Sequence, residues 1–201
     1  HRTDGMVEKA FETVPREAIY AETGIQFMQI NSLYQLLALK RDAPEVLREG
    51  ASLLLMGDLL HYFLSGRKAC EYTNASTSQL LHVESRTWSD KLIDAFGLPR
   101  ALFPEIIEPA TVLGPLLDGV VKDTGLRAPV IAPATHDTAA AVIAAPGEGD
   151  DWAYISCGTW SLIGVESRRP ITGPEALAAN FTNEGGVGGT IRFLKNIMGL
   201  W

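Results

Sequence analysis

Pro133-Ala134-Thr135-His136-Asp137-Thr138-Ala139-Ala140-Ala141-Val142 is the stretch on which the reading of this chain turns. The strand-like run Val130-Ile131-Ala132 stops just before it, and a helix of small residues, Thr138 to Ala145, starts inside it. An acid and an imidazole therefore fall where a strand gives way to a helix whose small side chains allow close packing. Asp137 stands at the N-terminal end of that helix, where the partial positive charge of unpaired N–H groups favours a carboxylate. Such a carboxylate can accept the proton of a substrate hydroxyl as its oxygen attacks another centre. It can equally serve only as a cap, worth about 1 kcal/mol. His136 beside it can orient a bound hydroxyl, or simply pack.

About twenty residues on comes Tyr154-Ile155-Ser156-Cys157-Gly158-Thr159-Trp160-Ser161. Trp152–Cys157 and Ser161–Glu166 read as two strands joined at Gly158-Thr159, a hairpin. Gly158 permits a close backbone approach that a Cβ would block. Thr159 offers a hydroxyl and an N–H, both potential donors to phosphate oxygens, although an ordinary hairpin turn looks the same. Cys157 has no neighbouring base to activate it and is expected to be a buried thiol. Asn196 is an amide in an apolar run read as a helix from Arg192 to Trp201, facing either solvent or a site. The His-Asp-Thr and Gly-Thr segments together suggest phosphoryl transfer to a small hydroxylated substrate.

Working outward, residues 1–20 mix charged and apolar residues at helical spacing and predict one helix. A helix capped by Asn31 or Ser32 uses Leu33, Leu36, Leu37 and Leu39 and ends near Pro44. Leu53–Met56 reads as a buried strand, Asp58 as the cap of a helix stopped at Gly66, and Trp88–Phe96 as a further helix. Residues 98–126 are loop-rich, and Asn183–Gly189 reads as a flexible turn. Pro146–Asp151, with breakers and acids together, is the linker candidate. The expected organisation is α/β, with residues 1–146 in a first domain and 147–201 opening a second.

The 201 residues are 46% hydrophobic and 20% charged, enough to bury a core. A formal net charge of −7 without a basic stripe argues against a nucleic-acid partner. Two cysteines 87 positions apart form neither a disulfide framework nor a zinc pattern, which favours a reducing compartment, the cytoplasm. No apolar run is long enough to span a membrane, so no membrane partner is expected. The absence of an initiator Met and the ending at Leu200-Trp201 suggest a piece of something longer.

The quoted segments, taken in order with Arg2-Thr3, Gly24-Ile25-Gln26-Phe27, Asn31, Leu33-Tyr34-Gln35-Leu36, Glu71-Tyr72-Thr73-Asn74-Ala75, Asn183-Glu184-Gly185-Gly186 and Leu194-Lys195-Asn196-Ile197-Met198-Gly199-Leu200-Trp201, resemble the FGGY carbohydrate kinases. The match is strongest to the branch that acts on L-rhamnulose. The resemblance implies a ribonuclease H-like fold of the actin and hexokinase-like ATPase type. It also implies ATP-dependent phosphorylation of L-rhamnulose at its 1-hydroxyl, supported by Mg²⁺. In that reading Asp137 is the proton acceptor, and His136, Asp137, Thr138 and Asn196 hold the sugar. Gly158 and Thr159 contact ATP phosphates. The family's N-terminal phosphate loop, metal-serving acid and C-terminal adenosine segment have no match here, so the fragment alone is expected to be inactive. Three alternatives stand beside it: a kinase for another ketose or polyol such as xylulose or glycerol, a hydrolase using His136 and Asp137 with Cys157 or Ser156, and a non-catalytic sugar-binding domain.

Overall fold

Pro15 divides the N-terminal stretch expected to form one helix. A proline inside a helix lacks the N–H for the backbone ladder and clashes with the preceding turn. In the computed structural model, which describes residues 1–50, 52–147, 149, 151–158 and 160–198, α1 (Met6–Thr13) therefore ends before it and α2 (Arg16–Thr23) starts after it. α2 closes on Gly24, whose φ of 66° is left-handed and whose N–H reaches the Tyr20 carbonyl at 2.6 Å. Gly24 also admits Asn183, since a Cβ there would stand 2.9 Å from the Asn183 Cβ. Asn183 donates its backbone N–H (2.8 Å) and its Nδ2–H (3.1 Å) to the Gly24 carbonyl. This contact ties the start of the chain to its end.

α3 (Ser32–Asp42) and α4 (Pro44–Glu49) follow, with Pro44 in the first turn, where its missing N–H costs nothing. Leu53–Met56 is not the expected strand. Leu53 N–H bonds the Leu102 carbonyl at 2.6 Å, and Met56 already begins α5 (Met56–Ser65), so Asp58 sits inside the first turn rather than capping it. β1 (Cys70–Glu71) runs into the single turn α6 (Tyr72–Ala75). α7 (Asp90–Ala95) is shorter than expected because Ser89 caps it, accepting the Leu92 N–H at 3.2 Å. Trp88 is left outside the helix and donates its indole N–H to the Pro104 carbonyl at 2.6 Å.

The loop-rich stretch holds β2 (Ile106–Ile107), parallel to β1, and β3 (Val112–Pro115). α8 (Asp118–Thr124) leads to β4 (Pro129–Ile131), antiparallel to β3, and then α9 (Asp137–Ile143). The main core lies among the helices, with Ile19, Leu33, Tyr34, Leu80, Leu92 and Ile93 fully buried.

Beyond α9, an antiparallel sheet in the order β5-β6-β8-β7 is built from β5 (Tyr154–Cys157), β6 (Trp160–Ser167), β7 (Thr182–Gly185) and β8 (Ile191–Met198), with α10 (Pro174–Ala178) between β6 and β7. The β5–β6 hairpin is as expected, in the register Cys157 opposite Ser161. One expectation fails here, and the turn expected over residues 183–189 holds only at its end, about Gly188 and Gly189. Residues 182–185 form a fully buried strand, and Gly185 is there because the Tyr72 ring occupies the place of a Cβ at 2.8 Å. Residues 191–198 form a central strand rather than a helix, paired on both sides by β6 and β7. A strand flanked on both edges, with neighbouring residues Ile191 and Arg192 both buried although they point to opposite faces, loses the simple alternation that marks a strand in sequence.

Candidate active site

The backbone before α9 is fixed by a carboxylate that sequence reasoning did not single out. Glu71 is wholly buried. Its Oε1 accepts the Thr73 N–H at 2.8 Å, and its Oε2 accepts the Thr73 hydroxyl (2.6 Å), the Thr135 N–H (2.9 Å) and the Thr135 hydroxyl (2.8 Å). The chain leaves Thr135, passes His136 as the N-cap residue, and enters α9 at Asp137. Asp137 Oδ1 accepts the Thr138 N–H at 2.6 Å, and its side chain is 99% exposed. Asp137 is the first helical residue and makes no capping bond to the turn beyond Thr138, so the carboxylate is turned outward rather than into its own helix.

It is turned outward into a cavity of about 430 Å³. His136, Asp137 and Thr138 line one side, Ser156, Cys157, Gly158 and Trp160 of the hairpin another, and Glu184 and Asn196 the sheet. The candidate residues that the structure describes, His136, Asp137, Thr138, Gly158 and Asn196, thus share one space. Thr159 lies outside the described residues. Asn196 stands on β8 opposite Leu162 and donates Nδ2–H to Gln26 Oε1 at 3.0 Å, so its amide belongs to the site wall and not to a helix face. At Gly158 a Cβ would meet, among the described residues, only the Trp160 carbonyl at 3.8 Å, so no contact with them requires a glycine there. Cys157 is exposed, against the expectation of a buried thiol, because the strand end that carries it faces the cavity.

His136 joins the two sides. Its Nδ1 is 3.5 Å from Asp137 Oδ1 and its Nε2 is 3.6 Å from Glu184 Oε2. Burial pushes the imidazole below its ordinary pKa, against the opposing pull of the Glu184 and Asp137 carboxylates and with reinforcement from Arg192. Glu184 is itself held by the fully buried Arg192, whose guanidinium donates to Glu184 Oε2 at 3.0 Å and to the Gly185 carbonyl at 3.0 Å. The result is a polar, partly charged hollow with acceptors and donors on facing walls, suited to a small polyhydroxylated molecule. No hydrogen bond joins Ser156 or Cys157 to His136 or Asp137 among the described residues, so the nucleophile–base pair of a hydrolase is not assembled.

Sequence reasoning assigns no role to Glu184 or Glu71, although both lie in the family-like segments. The only local signal for Glu71 was its hydroxyl neighbour Thr73. Its second partner, Thr135, lies 64 positions away and is brought to it by folding alone.

Comparison with solved structures places this architecture among the sugar kinases of the actin and hexokinase-like ATPase fold. A xylulose kinase from Rhodospirillum rubrum superposes with a TM-score of 0.86 at 21% identity, over 99% of this chain and 40% of that one. A Plasmodium falciparum glycerol kinase with ADP gives a TM-score of 0.82 at 17% identity, over 98% of this chain and 40% of that one. In sequence, residues 1–144 match the N-terminal domain of the FGGY family of carbohydrate kinases and residues 153–201 match its C-terminal domain. The chain belongs to the FGGY family of carbohydrate kinases. It is 50% identical to a rhamnulokinase of Pectobacterium atrosepticum over 201 residues, all of this chain and 40% of that protein. It is 48% identical to a rhamnulokinase of Halalkalibacterium halodurans over 200 residues, 100% of this chain and 43% of that protein. The chain therefore spans about 40% of the length of the curated relatives it matches. Among the described residues no helix is long and apolar enough to cross a membrane.

Proposed function

We propose that the full-length protein transfers the γ-phosphoryl group of ATP to the 1-hydroxyl of L-rhamnulose. Identity near one half to proteins named rhamnulokinase, along the whole chain, supports the choice of sugar. The observation that carries the chemistry is the outward carboxylate of Asp137, anchored at the head of α9 and open to the cavity.

In this reading the sugar lies against His136, Thr138 and Asn196, and Asp137 accepts the proton of the attacking hydroxyl. Phosphoryl transfer proceeds through a loose transition state in which positioning and charge stabilisation outweigh strong base chemistry. An ordinary carboxylate within hydrogen-bond reach of the hydroxyl meets that demand. Gly158 lines the same cavity, and Gly158 and Thr159 are assigned to an ATP phosphate on the family resemblance. We assign residues 1–146 to the first kinase domain and 147–201 to the opening of the second, a division that the two family matches support on either side of Pro146–Asp151. Among the described residues no group of three His, Cys, Asp or Glu side chains is placed to hold a metal ion. On the family resemblance, the residues that serve the divalent ion accompanying ATP are assigned outside this chain, and no step is routed through it.

The test is ADP release by the full-length protein across a panel of L-rhamnulose, xylulose and glycerol. The proposal requires L-rhamnulose to give the highest kcat/KM. A preference for xylulose or glycerol would move the assignment to another member of the family, and no ADP release with any of them would remove it.

A further inference from the structure

We propose that Glu71 is a positioning residue for Asp137, acting through the loop that carries it; this rests on the assignment of Asp137 as proton acceptor. The bonds run in sequence. Glu71 Oε2 holds both the N–H and the hydroxyl of Thr135, at 2.9 and 2.8 Å. It also holds the Thr73 hydroxyl at 2.6 Å, and that hydroxyl in turn accepts the His136 N–H at 3.3 Å. The backbone N–H groups of Thr135 and His136, the last two before Asp137, are thereby both fixed from one carboxylate.

Two further contacts hold the carboxylate and the loop in place. The Glu71 N–H donates to Asp58 Oδ1 at 2.9 Å, which ties β1 to α5. On the same helix Gly57 lets Thr135 seat directly on the backbone, since a Cβ at Gly57 would lie 2.9 Å from Thr135 Cβ. Burying a carboxylate is costly unless its lone pairs are filled, and packing alone could be met by an apolar side chain. What a carboxylate adds is direction: its acceptors set where specific N–H groups must lie. Proton transfer needs the base within about 2.6–3.2 Å of the hydroxyl, so direction at residues 135 and 136 becomes geometry at residue 137.

The experiment is steady-state kinetics on the full-length kinase carrying Glu71→Gln, alone and with Asp137→Asn. Glutamine keeps the shape but turns an N–H₂ toward donors. The expected result is a kcat lowered about 10- to 100-fold, the size of a misplaced reacting group, with both KM values near parental and no further loss in the Asp137→Asn background. Additive loss would mean that Glu71 acts independently of Asp137 and would overturn the proposal; so would an unchanged kcat. Thr135→Val removes one hydroxyl donor while keeping the Gly57 contact, and should show the same pattern at about 3- to 10-fold. It serves as the test if Glu71→Gln does not fold, and an unchanged kcat in it is then contradictory. If Asp137→Asn itself retains turnover, the assignment of the base falls first. If Asp137→Asn is impaired and the Glu71 and Thr135 variants are silent, the positioning role alone falls.

Discussion

Glu71 and Glu184 are both buried carboxylates beside the cavity, and they are satisfied in opposite ways. Glu71 is surrounded by neutral donors, the N–H and hydroxyl groups of Thr73 and Thr135. Glu184 is paired with a fully buried arginine. The first arrangement shares one anion among several dipoles, so the loss of any one donor leaves the others in place. The second balances two full charges against each other, so the loss of one partner leaves the other uncompensated in a medium that solvates it poorly. The wall bearing Asp137 should therefore tolerate small changes with graded losses, whereas the sheet wall should fail abruptly.

The largest effect should come from breaking the charged wall. Arg192→Met is expected to lower the unfolding free energy by about 3–5 kcal/mol, the usual cost of stranding a buried charge. Urea melts would show it, and Arg192→Met combined with Glu184→Leu should recover much of the loss. A single variant as stable as the parent would show that Glu184 does not depend on its arginine.

A smaller effect belongs to the neutral wall, at Asp58. Burial lifts its carboxyl to about pKa 6, against the Glu71 N–H bond, which favours the ionised form. A carboxyl raised in the folded state stabilises fully below its ordinary range near 4, and that contribution is lost as pH rises through about 6. Asp58→Asn keeps an acceptor for Glu71 but cannot ionise. Relative to the parent it should match near pH 3, below both values, and gain about 3 kcal/mol by pH 8, roughly half of it already by pH 5. Melts at the two pH values check this, and a stability difference that does not change with pH would contradict it.

The smallest effect is at the sugar. Asn196→Ala removes one amide from the cavity wall and should raise the KM for L-rhamnulose by up to about tenfold, the worth of one hydrogen bond. The KM for ATP should not change; equal shifts in both would show that Asn196 acts on the wall as a whole.

The two walls also differ in how far the sequence disclosed them. Asp137 and its neighbours announced themselves because local rules suffice: a strand-like run, then small residues, with an acid at the junction. The β5–β6 hairpin was legible for the same reason. The sheet wall was misread at both of its other strands. Gly185 and Gly186 looked like a turn, yet Gly185 is a strand residue whose missing side chain makes space for Tyr72, a residue over a hundred positions earlier. Phe193 and Ile197 happened to fall at helical spacing, and only pairing with β6 and β7 makes that segment a strand. Glu71 has no legible role in the sequence, because its partner Thr135 reaches it only through the fold. Local structure could be read in the sequence, and contacts across long separations could not.

The proposed reaction depends on the Asp137 carboxylate receiving a proton from the sugar alcohol, and phosphoryl transfer by full-length Asp137→Asn protein with ATP and L-rhamnulose measures this most directly. The expected result is a kcat lowered by about 10²- to 10⁴-fold, the contribution of a positioned proton acceptor, with the sugar still bound. Turnover near that of the parent would contradict it.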